Sequence, residues 1–238
     1  MLRRNNKKND GLGGRLRRLL WRALLLAVLG SVGLVLALRW IDPPYSAVML
    51  QRLATEGAPQ TQQWVDLAAV DPAVPLAVVA AEDQRFPKHW GFDTEEIIAA
   101  VERRLDGGRL RGASTISQQV ARNLFLWQGR SFVRKGLEVW FTGLVEALWG
   151  KRRILEMYLN FAETGERRFG VAAASAHYFG RDVSQIGARR AALLAAVLPN
   201  PVVYRLDRPS PYVRQRQEWI LQQMDNLGGI AYLDGILR

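Results

Sequence analysis

The chain of 238 residues has no cysteine, which excludes disulfides, thiolate metal sites and thiol nucleophiles. Histidine is nearly as scarce. His89 and His177 are the only two, too few for a dedicated metal centre, and no other cluster has metal-ligand spacing. No convincing alternation of apolar and polar residues appears, and no internal repeat, so neither a sheet-rich domain nor a solenoid is expected. Acidic residues are almost missing from the first 22 positions, where eight Lys and Arg stand against Asp10 alone. The remaining 25 basic and 21 acidic residues nearly balance. Most of the formal charge of +11 therefore belongs to a tail, whose attachment to an apolar segment favours anionic lipid over nucleic acid as its neighbour, and no nucleic-acid partner is expected.

What is present begins where that tail ends. Ala23 to Leu38 is uncharged and rich in Leu, Val and Ala, bounded by Arg22 and Arg39. As helix it spans roughly 24 Å, short of a hydrocarbon core of about 30 Å. Extension from Leu19 to Ile41 gives about 34 Å, with Arg22 and Arg39 snorkelling and Trp21 and Trp40 at the two interfaces. The positive flank orients the N-terminus to the cytoplasm and all that follows outside. A cleaved signal peptide competes with this reading, but Leu36-Ala37-Leu38-Arg39 is a poor cleavage site. The organisation expected is a basic cytoplasmic tail (1–18), a single-pass anchor (19–41), a linker or membrane-proximal segment (42–64), and one domain (65–238).

That domain reads as helices separated by Gly, Pro and polar breaks, hence mainly α. Expected helices are Pro75–Glu82, Thr94–Leu105 capped by Asp93 or Thr94, Ser114–Leu126 with Thr115 and Gln118 at capping-box spacing, and Ser131–Leu148. Lys151–Asn160, Val171–Phe179, Ser184–Leu198 and Ser210–Leu227 follow, the last with Pro211 just inside its start.

Three stretches offer chemistry. Ala80 to Phe86 ends an apolar helix in the pair Glu82-Asp83, with His89 and Gly91 close behind. Burial of Glu82 would lift its pKa toward that of a useful general base, while the bland alternative is an acidic pair held by Arg85 or Lys88. Arg111 to Gln119 leads through glycine into a hydroxyl-rich helix start, suited to an anion such as phosphate. In it Ser114, Gln118 and Arg122 fall at i, i+4 and i+8, and an ordinary capped helix explains them equally well. Arg130, Arg134 and Glu138 repeat that spacing over roughly 12 Å, or simply form an Arg134–Glu138 surface pair worth a few tenths of a kcal/mol.

Order and spacing go further than any one stretch. Glu82-Asp83-Gln84-Arg85-Phe86 with His89 and Gly91, then Gly112-Ala113-Ser114-Thr115-Ile116-Ser117-Gln118-Gln119, then Arg134-Lys135-Gly136-Leu137-Glu138, then Lys151 through Asn160, resemble the ordered motifs of peptidoglycan glycosyltransferases (glycosyltransferase family 51). The likeness covers roughly residues 65–205. With no Ser-x-x-Lys, Ser-x-Asn or Lys-Thr-Gly pattern, no transpeptidase domain is expected, and the chain is similar to the monofunctional biosynthetic transglycosylases of Gram-negative bacteria.

The resemblance implies a lysozyme-like helical fold at the outer face of the bacterial inner membrane. It also implies polymerisation of lipid II. The 4-hydroxyl of the acceptor GlcNAc attacks C1 of a donor held as undecaprenyl pyrophosphate and inverts it. On this sequence Glu82 becomes the general base and Glu138 the second catalytic glutamate. Arg122, Arg130, Arg134 and Lys135 become the pyrophosphate holders. Asp83, Phe86, His89, Ser114, Thr115, Gln118, Gln119 and Asn123 complete the substrate-binding set. No cofactor is required on this reading, a divalent cation (Mg or Mn) stays open as a bridge, and cell-wall synthesis proteins are candidate partners. Departures from the common pattern are Ala113 for a second glycine, Arg122 for lysine, Leu137 for lysine, and arginines at 167 and 168 where a glycine-containing turn is expected. The apolar residues around Ile97–Leu110 are read as a face for the outer leaflet. Two rivals are carried along: a lysozyme-like hydrolase, and a non-catalytic cell-wall scaffold.

Overall fold

A computed structural model describes residues 12–57, 60–107, 114–129 and 131–237. The chain divides into two compact units, Met1–Asp42 and Pro43–Arg238. The first holds helix α1 (Leu12–Ala37), of which Gly13–Ala37 is long and apolar enough to cross a membrane, at roughly 37 Å. Arg15, Arg17, Arg18 and Arg22 are part of this helix, so the described end of the basic tail is helical. The rest of that tail lies outside the described residues. The helix stops at Ala37 rather than Ile41, because residues 38–40 form a turn in which Ile41 N still donates to Ala37 O (3.1 Å). Pro43 and Pro44 follow, and the residue before a proline is driven out of the helical region.

In the second unit, the stretch expected to be a linker is folded. Helix α2 (Ala47–Glu56) is capped by Ser46 and packs on α5 (Ile116–Phe125). Strand β1 (Thr61–Gln62) follows. It joins β2 (Glu163–Gly165) and β3 (Arg168–Phe169) in a sheet of order β1-β3-β2, β1 parallel and β2 antiparallel to β3. Strands of two and three residues are too short to leave a period-2 signal. The β2–β3 turn sets Arg167 at φ 53°, the left-handed conformation for which glycine was expected.

Among the described residues the domain is otherwise helical. Helix α3 (Ala73–Glu82) is its axis: Val74, Ala77, Val78 and Val79 are wholly buried. A helix apolar on every side must be enclosed. It lies against α9 (Gly187–Val197) and α10 (Pro211–Asn226). Pro75 is harmless in its first turn, where N–H groups have no intrahelical partner in any case. Helix α4 (Thr94–Leu105) is capped by Asp93, whose side chain accepts from Glu96 N. The other layer comprises α5, α6 (Phe132–Leu148) and α7 (Lys151–Phe161). Stacking of Phe125 on Phe141, centroids 4.6 Å apart, ties α5 to α6. Short helix α8 (Val171–Ala174) runs on as a π-helical turn to Phe179, and α11 (Asp234–Leu237) ends the described chain.

Candidate active site

Glu82 is the last residue of α3, and Asp83 (φ −162°) breaks the helix. The two adjacent carboxylates consequently point to different tasks. Asp83 is buried and accepts from His89 Nε2 (2.9 and 3.0 Å) and from Ile116 N (2.9 Å). His89 Nδ1 in turn accepts from Gly91 N (3.1 Å), which makes Nε2–H the donor. Phe86 is fully buried beneath the Lys151 ammonium. Asp83, Phe86 and His89 therefore fix the loop after α3 against the start of α5 by contacts within the protein.

The start of α5 corrects the reading of its first turn. The helix begins at Ile116 with Thr115 as N-cap, and the capping box is complete: Thr115 Oγ1 accepts from Gln118 N, and Gln118 Oε1 accepts from Thr115 N. Thr115 Oγ1 also donates to Gly91 O (2.7 Å). The anion at this N-terminus is the chain's own Asp83, where dipole and free N–H favour it. Ser114 precedes the helix and Gln118 is buried in the cap, so these two do not form a helical stripe with Arg122. The residues of α5 that face open space are Gln119, Arg122 and Asn123.

Two cavities meet at Gln119. One, of about 760 Å³, is lined by Glu82, Ser114, Gln119, Tyr212, Arg216 and Trp219 among others. The second, of about 370 Å³, is lined by Gln119, Arg122, Asn123, Arg134, Tyr158 and Glu163 among others. Gln119 Nε2 donates to Glu82 Oε2 (3.0 Å), and Tyr158 Oη donates to Gln119 Oε1 (3.4 Å). This chain of donors settles which end of the Gln119 amide faces the carboxylate. Burial raises the Glu82 carboxyl above the usual glutamate range, with Asp83 adding to the effect, while the Gln119 hydrogen bond, Arg216 and Arg122 oppose it. Burial first and Glu82 second hold the Tyr158 phenol well above its usual value, so it stays a neutral donor.

On the far side of Gln119, Arg134 Nη1 meets Glu138 Oε2 (2.9 Å) and Lys135 Nζ meets Glu138 Oε1 (2.6 Å). Glu138 is 3% exposed and reaches the cationic cavity through Arg134 rather than by lining it. Ser131 caps α6 and accepts from Arg134 N (3.1 Å), setting the base of that arginine. Arg130 lies outside the described residues, as do Gly112 and Ala113. Glu163, which the sequence reading passed over, is the carboxylate in this cavity, and Arg52 of α2 neutralises it through two contacts of 2.8 Å.

Comparison with known proteins fits this geometry. Residues 48–225 match the family model described as transglycosylase. The chain belongs to the transglycosylase family. It is 50% identical over 226 residues to a biosynthetic peptidoglycan transglycosylase of Pseudomonas syringae pv. syringae, covering 93% of this chain and 95% of that protein. The transglycosylase of the same name from Stutzerimonas stutzeri is 50% identical over 229 residues, 93% and 95% of the two chains. One from Pseudomonas putida is 50% identical over 221 residues, 91% and 94%. In this transglycosylase, Tyr158, Glu163 and Arg216 are the cleft residues that motif reading missed. Tyr158 was quoted inside a motif but given no task. Arg216 had a legible signal, because Tyr212, Arg216 and Trp219 fall at i, i+4 and i+7 on one face of α10.

Proposed function

We propose that this chain is a membrane-anchored peptidoglycan glycosyltransferase that polymerises lipid II. The acceptor's GlcNAc 4-hydroxyl attacks C1 of a donor sugar carried on undecaprenyl pyrophosphate, with inversion. One observation carries the reading: Gln119 joins a cavity holding a desolvated carboxylate to a cavity holding guanidinium groups. A sugar lying across Gln119 would have a base at one face and cations at the other. Glu82, its proton affinity raised by burial, takes the acceptor proton. Arg122 and Arg134 stabilise the charge that collects on the departing diphosphate. Glu138, tied to both Arg134 and Lys135, holds those cations in place. A leaving diphosphate needs no acid to protonate it, whereas a hydrolase cleaving a glycosidic bond does. The cationic second cavity thus speaks for transfer.

The described residues offer a divalent cation no cage of their own. Among the described residues no group of three or more His, Asp or Glu could hold one, and Glu138 and Glu163 are already ion-paired. The proposed setting is the inner membrane, with α1 as single-pass anchor, its basic end cytoplasmic and the domain periplasmic. Exposed Ile98, Val101 and Leu105 on α4 suit contact with the outer leaflet.

The test is purified full-length protein in detergent with lipid II as sole substrate. Polymer should form, moenomycin should stop it, and finished lipid-free peptidoglycan should release no fragments. Glu82→Gln should keep the fold and lower the rate by about a thousandfold. A Glu82→Gln enzyme working at the wild-type rate sinks the base assignment, and fragment release from finished polymer sinks transfer.

A further inference from the structure

The Glu82 carboxylate is held unevenly. Oε2 accepts from Gln119, while Oε1 is buried and has no hydrogen-bond partner among the described residues. A carboxylate oxygen shut away from water without a donor is costly, so something else must offset it. The nearest cation to it is Arg216, whose Nη2 lies 3.6 Å from Oε1, beyond hydrogen-bonding range. Both side chains are largely enclosed, 22% and 13% exposed. Arg216 is itself fixed from two sides. Its Nη2 donates to Ala81 O (3.4 Å), in the last turn of α3, and its guanidinium lies over the Trp219 ring (5.9 Å).

This arrangement suits a base better than a full salt bridge would. A bidentate pair occupies the carboxylate lone pairs and holds the group so firmly as an anion that it accepts a proton poorly. A guanidinium at 3.6 Å supplies attraction through a low-dielectric space, where charge acts strongly, and leaves the lone pairs of Oε1 unused. We propose that Arg216 of α10 is a positioning residue for the Glu82 carboxylate, holding it charged through space without the direct hydrogen bonds that would lock it as an anion. The inference rests on the glycosyltransferase reading above. In that step the acceptor oxygen bonds to donor C1 and the hydroxyl proton passes to the Glu82 carboxylate. The C1–oxygen bond to phosphate breaks with its electron pair on the leaving diphosphate.

Other groups facing Glu82 bear on the same balance: Asp83 beside it, Arg122 from α5 and Tyr158 from α7. Arg122 lines the other cavity, where the leaving diphosphate would draw on its charge. On the Glu82 side Arg85 is paired with Asp93 and Glu95, which leaves Arg216 to serve the base.

The experiment measures pH profiles of kcat/KM for lipid II polymerisation by full-length wild type, Arg216→Gln, Arg216→Lys and Arg214→Gln, with thermal melts of each. Arg214 is exposed on the same helix and controls for simple loss of charge. Arg216→Gln should move the acid limb to higher pH, with a rate about tenfold lower at neutral pH that approaches wild type in alkali. Arg216→Lys should keep the limb near the wild-type position, and Arg214→Gln should superimpose on wild type. If Arg216→Gln melts below the assay temperature, Arg216→Met, which keeps an apolar stem against Trp219, replaces it. A loss of equal factor at every pH, or a limb moved as far by Lys as by Gln, overturns the role given to Arg216. A wild type that makes no polymer from lipid II overturns the glycosyltransferase reading and this inference together.

Discussion

The two cavities that share Gln119 are built from opposite charges. The larger is lined by Glu82, Asp83, Asp93 and Glu96 against Arg85 and Arg216. The smaller is lined by Arg122 and Arg134 against Glu163, which Arg52 already neutralises. On the proposed reading, in which the site takes a proton on one side and releases a diphosphate on the other, such polarity favours the reaction. Burial strengthens both fields, and fixed groups need no reorganisation during the reaction. The two glutamates are held differently, as the proposed split between a reactive and a positioning carboxylate requires. Glu82 has an oxygen without a hydrogen bond, whereas Glu138 has both oxygens held by cations.

Among changes that leave Glu82 itself in place, breaking the cationic side should give the largest effect. Arg134→Leu is expected to lower kcat by about a hundredfold with the acid limb of the pH profile unmoved, because Glu82 is untouched. A displaced limb would mean that the two cavities are not separate in function. Severing the link comes next. Gln119→Leu should cost on the order of tenfold in rate, and Tyr158→Phe less, since it loses only a long hydrogen bond that orients the amide. Equal losses in the two variants would show that Tyr158 contacts substrate directly.

A subtler contrast appears in stability. The folded-state pKa of Glu82 is raised above its unfolded value, so charging it within the fold carries a cost above the folded pKa. That cost fades as pH falls through the folded pKa toward the ordinary glutamate value. The melting temperature of Glu82→Gln minus that of wild type should therefore be most positive near neutral pH and shrink on acidification, as calorimetry would show. A difference that grows on acidification would mean that Glu82 is stabilised as an anion. The smallest effect belongs to the turn behind the cationic cavity. Arg167→Gly relieves a left-handed arginine costing about 1–2 kcal/mol, less the chain entropy of glycine. A net gain of about 0.5 kcal/mol in chemical denaturation is expected, with unchanged activity.

Much of the helical framework was legible in the sequence. Thr94–Leu105 was placed at its observed bounds, the Thr115–Gln118 box formed as its spacing implied, and Ser131 and Ser210 cap their helices. These are local features, in which side chain and backbone satisfy each other within one turn. The stretch 42–64, expected to be a linker or membrane-proximal segment, holds α2 because α2 is secured by contact with α5 some 70 residues on in the chain, a fact no local pattern carries. The helical stripe through Ser114, Gln118 and Arg122 failed for a related reason. Thr115 took the cap and turned Gln118 inward, leaving Gln119 to face the cleft.

By itself, then, the sequence determined a spanning-length apolar helix, a cysteine-free helical domain, and the ordered carboxylates and cations that mark its family. Local propensity, capping and composition are properties of short segments and survive being read one after another. Only the tertiary structure decided which carboxylate would be stripped of water and raised in proton affinity. Burying Glu82 at the end of α3 takes the joint approach of α5, α7 and α10, and proton affinity depends on all that surrounds a group, not on its neighbours in the chain.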